Sequence, residues 1–182
     1  MARKMRYILG IDPGLNGGIV LVDEQGKIRR KHTIPRTGGK TGPVDVHALK
    51  EIAQNYIKYD VTVFMEELAY NALFVMSKGS VARLYHCYGV IEGVFAAEYS
   101  YQEVSYKTWQ PIMFKGVKPI YKKKKKGQKK ASRDTKAMAL ATAKRIKPKE
   151  KFLKTKRSST PHDGLVDAYL IAEYGRRQII GN

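Results

Sequence analysis

Val61-Thr62-Val63-Phe64-Met65 constrains the fold more than any other stretch of this chain. A continuous β-branched and apolar run offers no polar side to water, so both its faces must be covered. That condition is met by an interior strand of a sheet that carries helices on both sides. The remaining elements fit around it. Tyr7–Asp12 (YILGID) reads as a buried strand, Pro13–Gly17 as a turn, and Gly18–Val22 (GIVLV) as a second strand. Asp23–Gly26 turns the chain into a third strand at Lys27–Ile34, which completes an antiparallel meander.

After a loop at Pro35–Gly42, helical spacing of Leu49, Ile52, Ala53, Tyr56 and Ile57 predicts a helix, with Asp45 as its cap. Beyond the Val61–Met65 strand a second helix is expected from Ser80 to Tyr99, with Val81, Leu84, Tyr85, Tyr88, Ile91 and Phe95 on its inner face. A fifth strand follows at Tyr101–Ser105 and a helical turn near Trp109. Two more helices are expected, Ser132–Ile146 and Pro161–Gly175. The order predicts an α/β fold with a mixed five-stranded sheet flanked by helices.

The 182 residues suit one domain, 1–182, and 43% apolar residues suffice for a core. No run approaches the length of a membrane span, and the basic start leads into a strand, not a signal-peptide core. The single cysteine, Cys87, excludes an internal disulfide and a cysteine-based zinc site. These features lead us to expect a soluble, cytoplasmic protein with no membrane partner.

Charge narrows the partner. Lys and Arg outnumber Asp and Glu 35 to 16, a net of +19. From Lys115 to Arg157 there are 19 basic residues against Asp134 and Glu150, so this segment carries +17. Such a block repels itself unless a polyanion neutralises it, and a nucleic-acid backbone is the polyanion that fits best. A disordered, solvated tract is the plainer alternative. Lys122, Lys123, Lys124, Lys125, Lys126, Lys129, Lys130 and Arg133 are the candidate phosphate contacts, on a Lys-rich internal loop at about 115–131.

The candidate chemistry lies in four acids at element ends. Asp12 ends the first strand and Glu66 the fourth, while Asp163 and Asp167 stand four apart in the last helix. Sites gather at the carboxyl ends of parallel strands. Clustered carboxylates stay ionised only with cations, and hard oxygen ligands suit Mg²⁺ or Mn²⁺. Each acid also has a duller role open to it. Asp12 could start a turn, one of Glu66 and Glu67 could be plain surface, and Asp163 could belong to a capping-box-like start at Thr160–Asp163. Asp167, between Val166 and Ala168, is hardest to explain as a surface charge. His32, His47 and His86 read as structural, and Trp109 and Cys87 as core.

Ile8–Gly14 with Gly17-Gly18 resembles the opening strand and turn of the RuvC Holliday junction resolvases. Phe64–Glu67 is similar to their second acidic motif, Gly79–Ala97 to the helix that follows it, and His162–Ala172 to the helix bearing the last two acids. The match runs in order over most of the chain and is nearest to phage-encoded members. The resemblance implies an RNase H-like fold and a homodimer that resolves four-way DNA junctions by paired phosphodiester hydrolysis. It also implies two Mg²⁺ per site, with Mn²⁺ able to substitute, held by Asp12, Glu66, Asp163 and Asp167 as both metal ligands and catalytic acids. Tyr70 and Phe74, after the second motif, are available to stack on unpaired bases; core packing is the alternative for Phe74. One departure stands out. The family's last two acids are usually three apart, and here that position is Gly164, with Asp163 or His162 as the substitute. A broader branched-DNA or RNA–DNA hybrid nuclease, and a non-catalytic junction binder, remain the alternatives.

Overall fold

A computed structural model of the chain describes residues 5–39, 42–68, 76–124 and 130–181. Among these residues the strands are β1 (Arg6–Asp12), β2 (Gly18–Asp23), β3 (Ile28–Thr33), β4 (Asp60–Glu66) and β5 (Ser100–Val104). They form one mixed sheet in the order β3-β2-β1-β4-β5. Tight turns join the antiparallel pairs β1–β2 and β2–β3. The parallel pairs β1–β4 and β4–β5 are bridged by α1 (Val46–Gln54) and α2 (Lys78–Ala96). The α/β architecture expected from the sequence is present.

The Val61–Met65 strand divides its side chains as a doubly covered strand must. Val61, Val63 and Met65 join Leu9, Ile11, Leu49, Ile91 and Phe95 in a core against α1 and α2. Phe64 joins Ile8, Val20 and Val22 on the opposite face, against α3 (Tyr106–Met113), α4 (Thr135–Ile146) and α5 (Asp163–Ile180). From Gly164 to Gly175 every residue of α5 is buried except Asp167, which is half-buried. A helix covered on nearly all sides lies between two layers, here the sheet and α4. Its buried Glu173 is held by Arg176 and Arg177 at 2.8 and 2.9 Å.

Several boundaries differ from expectation. The last helix runs on to Ile180, because Gly175 does not end it. A Cβ at that position would lie 2.4 Å from the Phe64 ring, so glycine lets α5 approach β4. His162, not Thr160, is the N-cap of α5, and its side chain makes no capping bond. Asp134 caps α4 by accepting from Ala137 N at 3.1 Å, which places its start at Thr135, not Ser132. Ser77 likewise caps α2 and starts it at Lys78, whereas Asp45 caps α1 as expected. Tyr85 and Ile57, expected to face inward, are 41% and 50% exposed. The buried residues of α2 begin at Cys87, and Ile57 lies past the end of α1, where helical spacing no longer aims it. No helix among the described residues is long and apolar enough to cross a membrane.

Candidate active site

In the parallel pairing Ile11 lies opposite Met65, so Asp12 and Glu66 are the next residues on two adjacent strands. Alternation puts both on the face that carries Ile8 and Phe64, the face covered by α5. Asp167 is on α5 itself. Three elements therefore bring three half-buried carboxylates to one end of the sheet. Glu67, one residue on, is exposed.

Local bonds hold two of these acids. Gly14 N donates to Asp12 Oδ1 at 2.9 Å, so the turn after β1 fixes that carboxylate. Trp109, fully buried on α3, donates from Nε1 to Glu66 Oε1 at 3.1 Å. The surrounding protein desolvates all three acids and they repel one another. Burial raises Asp12 to about 6, with the Gly14 bond and Lys136 opposing. Burial and then Asp12 raise Glu66 to about 8 against the Trp109 bond. Asp167 is held well above the usual carboxylate range by burial, then by Asp12, Glu66 and Asp163.

Asp163 stands apart. It is exposed, and its Oδ2 accepts from Lys136 Nζ at 2.7 Å. Lys136, near the start of α4, also acts electrostatically on Asp167 and Asp12, and the Asp163 bond raises its pKa. The glycine between the two acids of α5 has a steric reason. A Cβ at Gly164 would come within 2.2 Å of Asn16 O, and one at Gly18 within 2.5 Å of Gly164 O. Any side chain at 164 would collide with the turn after β1, so the second acid can stand only outside that contact. Beside it, His162 Nδ1 is buried without a hydrogen-bond partner, and burial lowers the imidazole pKa.

Among the described residues no three His, Cys, Asp or Glu side chains stand close enough together to hold one ion as placed. Their chemistry nevertheless suits a hard dication: oxygen donors only, mutually repelling, and protonated above their usual range.

The other expected contacts fall in two groups. Tyr70, Phe74, Lys125, Lys126 and Lys129 lie outside the described residues. Lys122, Lys123, Lys124, Lys130 and Arg133 are exposed. The feet of the Lys-rich loop are tied together, with Tyr121 bridged to Arg133 and Lys122 N donating to Ser132 O at 2.9 Å. Cys87 is buried core, as read. Trp109 and Lys136 are the neighbours of the acids that sequence reasoning missed. A buried indole needs an acceptor for its N–H, which was a usable signal for Trp109. Lys136 was hidden among eighteen other cations of its segment.

No family model matches the chain, and no curated protein matches it. A solved structure does: T. thermophilus RuvC in complex with a Holliday junction substrate, at 18% identity and TM-score 0.50, over 95% of this chain and 96% of that one. The fold is RuvC-like. Coverage this complete means that the RuvC-like architecture extends from β1 to α5 and includes the elements that carry Asp12, Glu66 and Asp167.

Proposed function

We propose that this chain is a divalent-metal-dependent endonuclease that resolves four-way DNA junctions as a homodimer, its 182 residues forming one nuclease domain of the kind found in phage-encoded RuvC proteins. The observation that carries this reading is the meeting of Asp12, Glu66 and Asp167, from β1, β4 and α5, in one half-buried place where Asp12 raises the proton affinity of Glu66 and both raise that of Asp167. The RuvC-like fold and the +17 segment support it.

Asp12, Glu66, Asp167 and Asp163 are the residues that would hold two Mg²⁺ ions, or Mn²⁺ in their place. The chemistry such ions supply is activation of a water for attack on the phosphodiester and stabilisation of the departing 3′-oxygen. To serve as ligands Glu66 and Asp12 would have to shed their protons, and the Trp109 bond would hold Oε1 of Glu66 in place. Lys136 offsets the charge of Asp163. The lysines from 122 to 130 and Arg133 carry the DNA arms, and Tyr70 and Phe74 stack on bases unpaired at the crossover. A two-fold dimer matches the pseudo-symmetry of the junction.

Incubation with labelled four-way junction, linear duplex and RNA–DNA hybrid, with Mg²⁺ or with chelator, tests the reading. Paired nicks at symmetric positions of the junction, dependent on metal, are expected. Phe74→Ala should lower junction cleavage more than junction binding. Equal cutting of duplex and junction leaves only a broader nuclease. One observation favours a second reading, a junction binder that does not cut: among the described residues no three acids are placed closely enough for one ion. Tight junction binding with no nicking in Mg²⁺ or Mn²⁺ would establish it.

A further inference from the structure

A second cluster of cations and rings lies beside the acids. Between α3 and the approach to α4 is a cavity of about 500 Å³, lined by Tyr106, Lys107, Phe114, Lys115, Arg133 and Met138 among others. Among the described residues no carboxylate lines it. Among the described residues none of its three cations is in an ion pair. Met138 is buried and gives it an apolar floor. Lys107 Nζ lies over the Tyr106 ring at 5.9 Å.

The walls are braced. Phe114 packs edge-on against buried Trp109, with centroids 6.0 Å apart at 77°. Arg145 donates to Met113 O at 3.3 Å at the end of α3, and Val117 N donates to Phe114 O at 2.9 Å in the turn beyond it. The cavity also adjoins the acids. Thr135 lines it, and the next residue, Lys136, holds Asp163. Trp109, behind Phe114, holds Glu66.

Flat aromatic walls, an apolar floor and unpaired cations at the rim are the features that hold a nucleotide, with a stacked base and a neutralised phosphate. An acidic peptide would satisfy the cations but leave the rings without a planar partner. We propose that this cleft is a subsite for one unpaired nucleotide of a DNA strand. Its base rests on Phe114 and Tyr106, and its phosphate on Lys107, Lys115 and Arg133. The proposal takes DNA as the polymer from the reading above and adds where a displaced nucleotide is lodged.

The single tryptophan of the chain reports on the cleft through Phe114. With chelator present, titration of the full chain with a short oligothymidylate should shift Trp109 emission. An abasic oligomer of equal length should leave emission unchanged and bind more weakly by about fivefold to a hundredfold, the range for loss of one base stack. Tyr106→Ala should remove the shift. Lys107→Ala, at an exposed position, should weaken it. Unchanged emission while anisotropy shows the labelled oligomer bound overturns the subsite, as does an equal shift with the abasic oligomer or with polyglutamate. Junction cleavage without an emission shift sinks the subsite and leaves the nuclease reading. A shift without any cleavage in Mg²⁺ does the reverse, and a chain that binds no DNA overturns both.

Discussion

The indole of Trp109 donates a 3.1 Å hydrogen bond to Oε1 of Glu66, so a fully buried ring on α3 orients the acid that ends β4. Trp109→Phe keeps an aromatic ring in the core and removes that donor. A bond to a charged group contributes about 1.5–3 kcal/mol, so junction cleavage should slow by roughly tenfold to a hundredfold. The bond also lowers the pKa of Glu66, and its loss should move the acidic limb of the pH–rate profile to higher pH. A wild-type rate and profile in this variant would remove Trp109 from the site.

Asp12→Asn, Glu66→Gln and Asp167→Asn should each abolish nearly all cleavage and leave junction binding intact. Glu67→Gln should be mild, because that side chain is exposed. Asp163→Asn should cost less than Asp167→Asn, since Asp163 is exposed and already paired with Lys136. Gel assays of cleavage beside binding decide all five, and full activity in Asp12→Asn would remove the site altogether.

Stability should depend on pH through the same acids. Glu66 is raised from 4.5 to about 8 by burial, so the folded chain binds more protons than the unfolded one between those values. Stability is therefore highest at the acid end of this window and falls as pH rises through about 8. In chelator, Glu66→Gln should be more stable than the wild type above that pH by about 1–3 kcal/mol, with the difference vanishing near the ordinary carboxylate range. Mg²⁺ should raise the wild-type Tm at neutral pH and leave Asp12→Asn unmoved. A wild-type Tm indifferent to both pH and Mg²⁺ would argue against a coupled acid cluster.

At Gly164 an added methyl would lie 2.2 Å from Asn16 O. Gly164→Ala should cost about 1–3 kcal/mol by overpacking and push the turn that orients Asp12 away from α5. Thermal denaturation and cleavage should fall together; an unchanged Tm would show that the two backbones can part without cost.

The Lys-rich loop should dominate the salt dependence of binding. If it and its neighbours neutralise about 6–10 phosphates, log affinity should fall with log salt at a slope near −5 to −9. Replacing Lys122 to Lys126 with Ser should flatten the slope and weaken all DNA forms alike. An unchanged slope would make the tract a bystander.

Strand and helix identities were legible in the sequence because they are local. The Val61–Met65 run and the meander before it declare their burial through composition and spacing alone. The places of Asp12, Glu66 and Asp167 at element ends were legible for the same reason, and strand alternation separates Glu66 from Glu67. The charge of the 115–157 segment is likewise a property of the chain and not of its fold. What the tertiary structure alone decided are contacts between distant residues: Trp109 on Glu66, 43 positions away, and Lys136 on Asp163, 27 away. Gly175 was misread as a helix end because its reason is the Phe64 ring on another element. Each of these depends on how α3, α4 and α5 lie across one face of the sheet, and packing between layers leaves no periodic trace in the residues that make it.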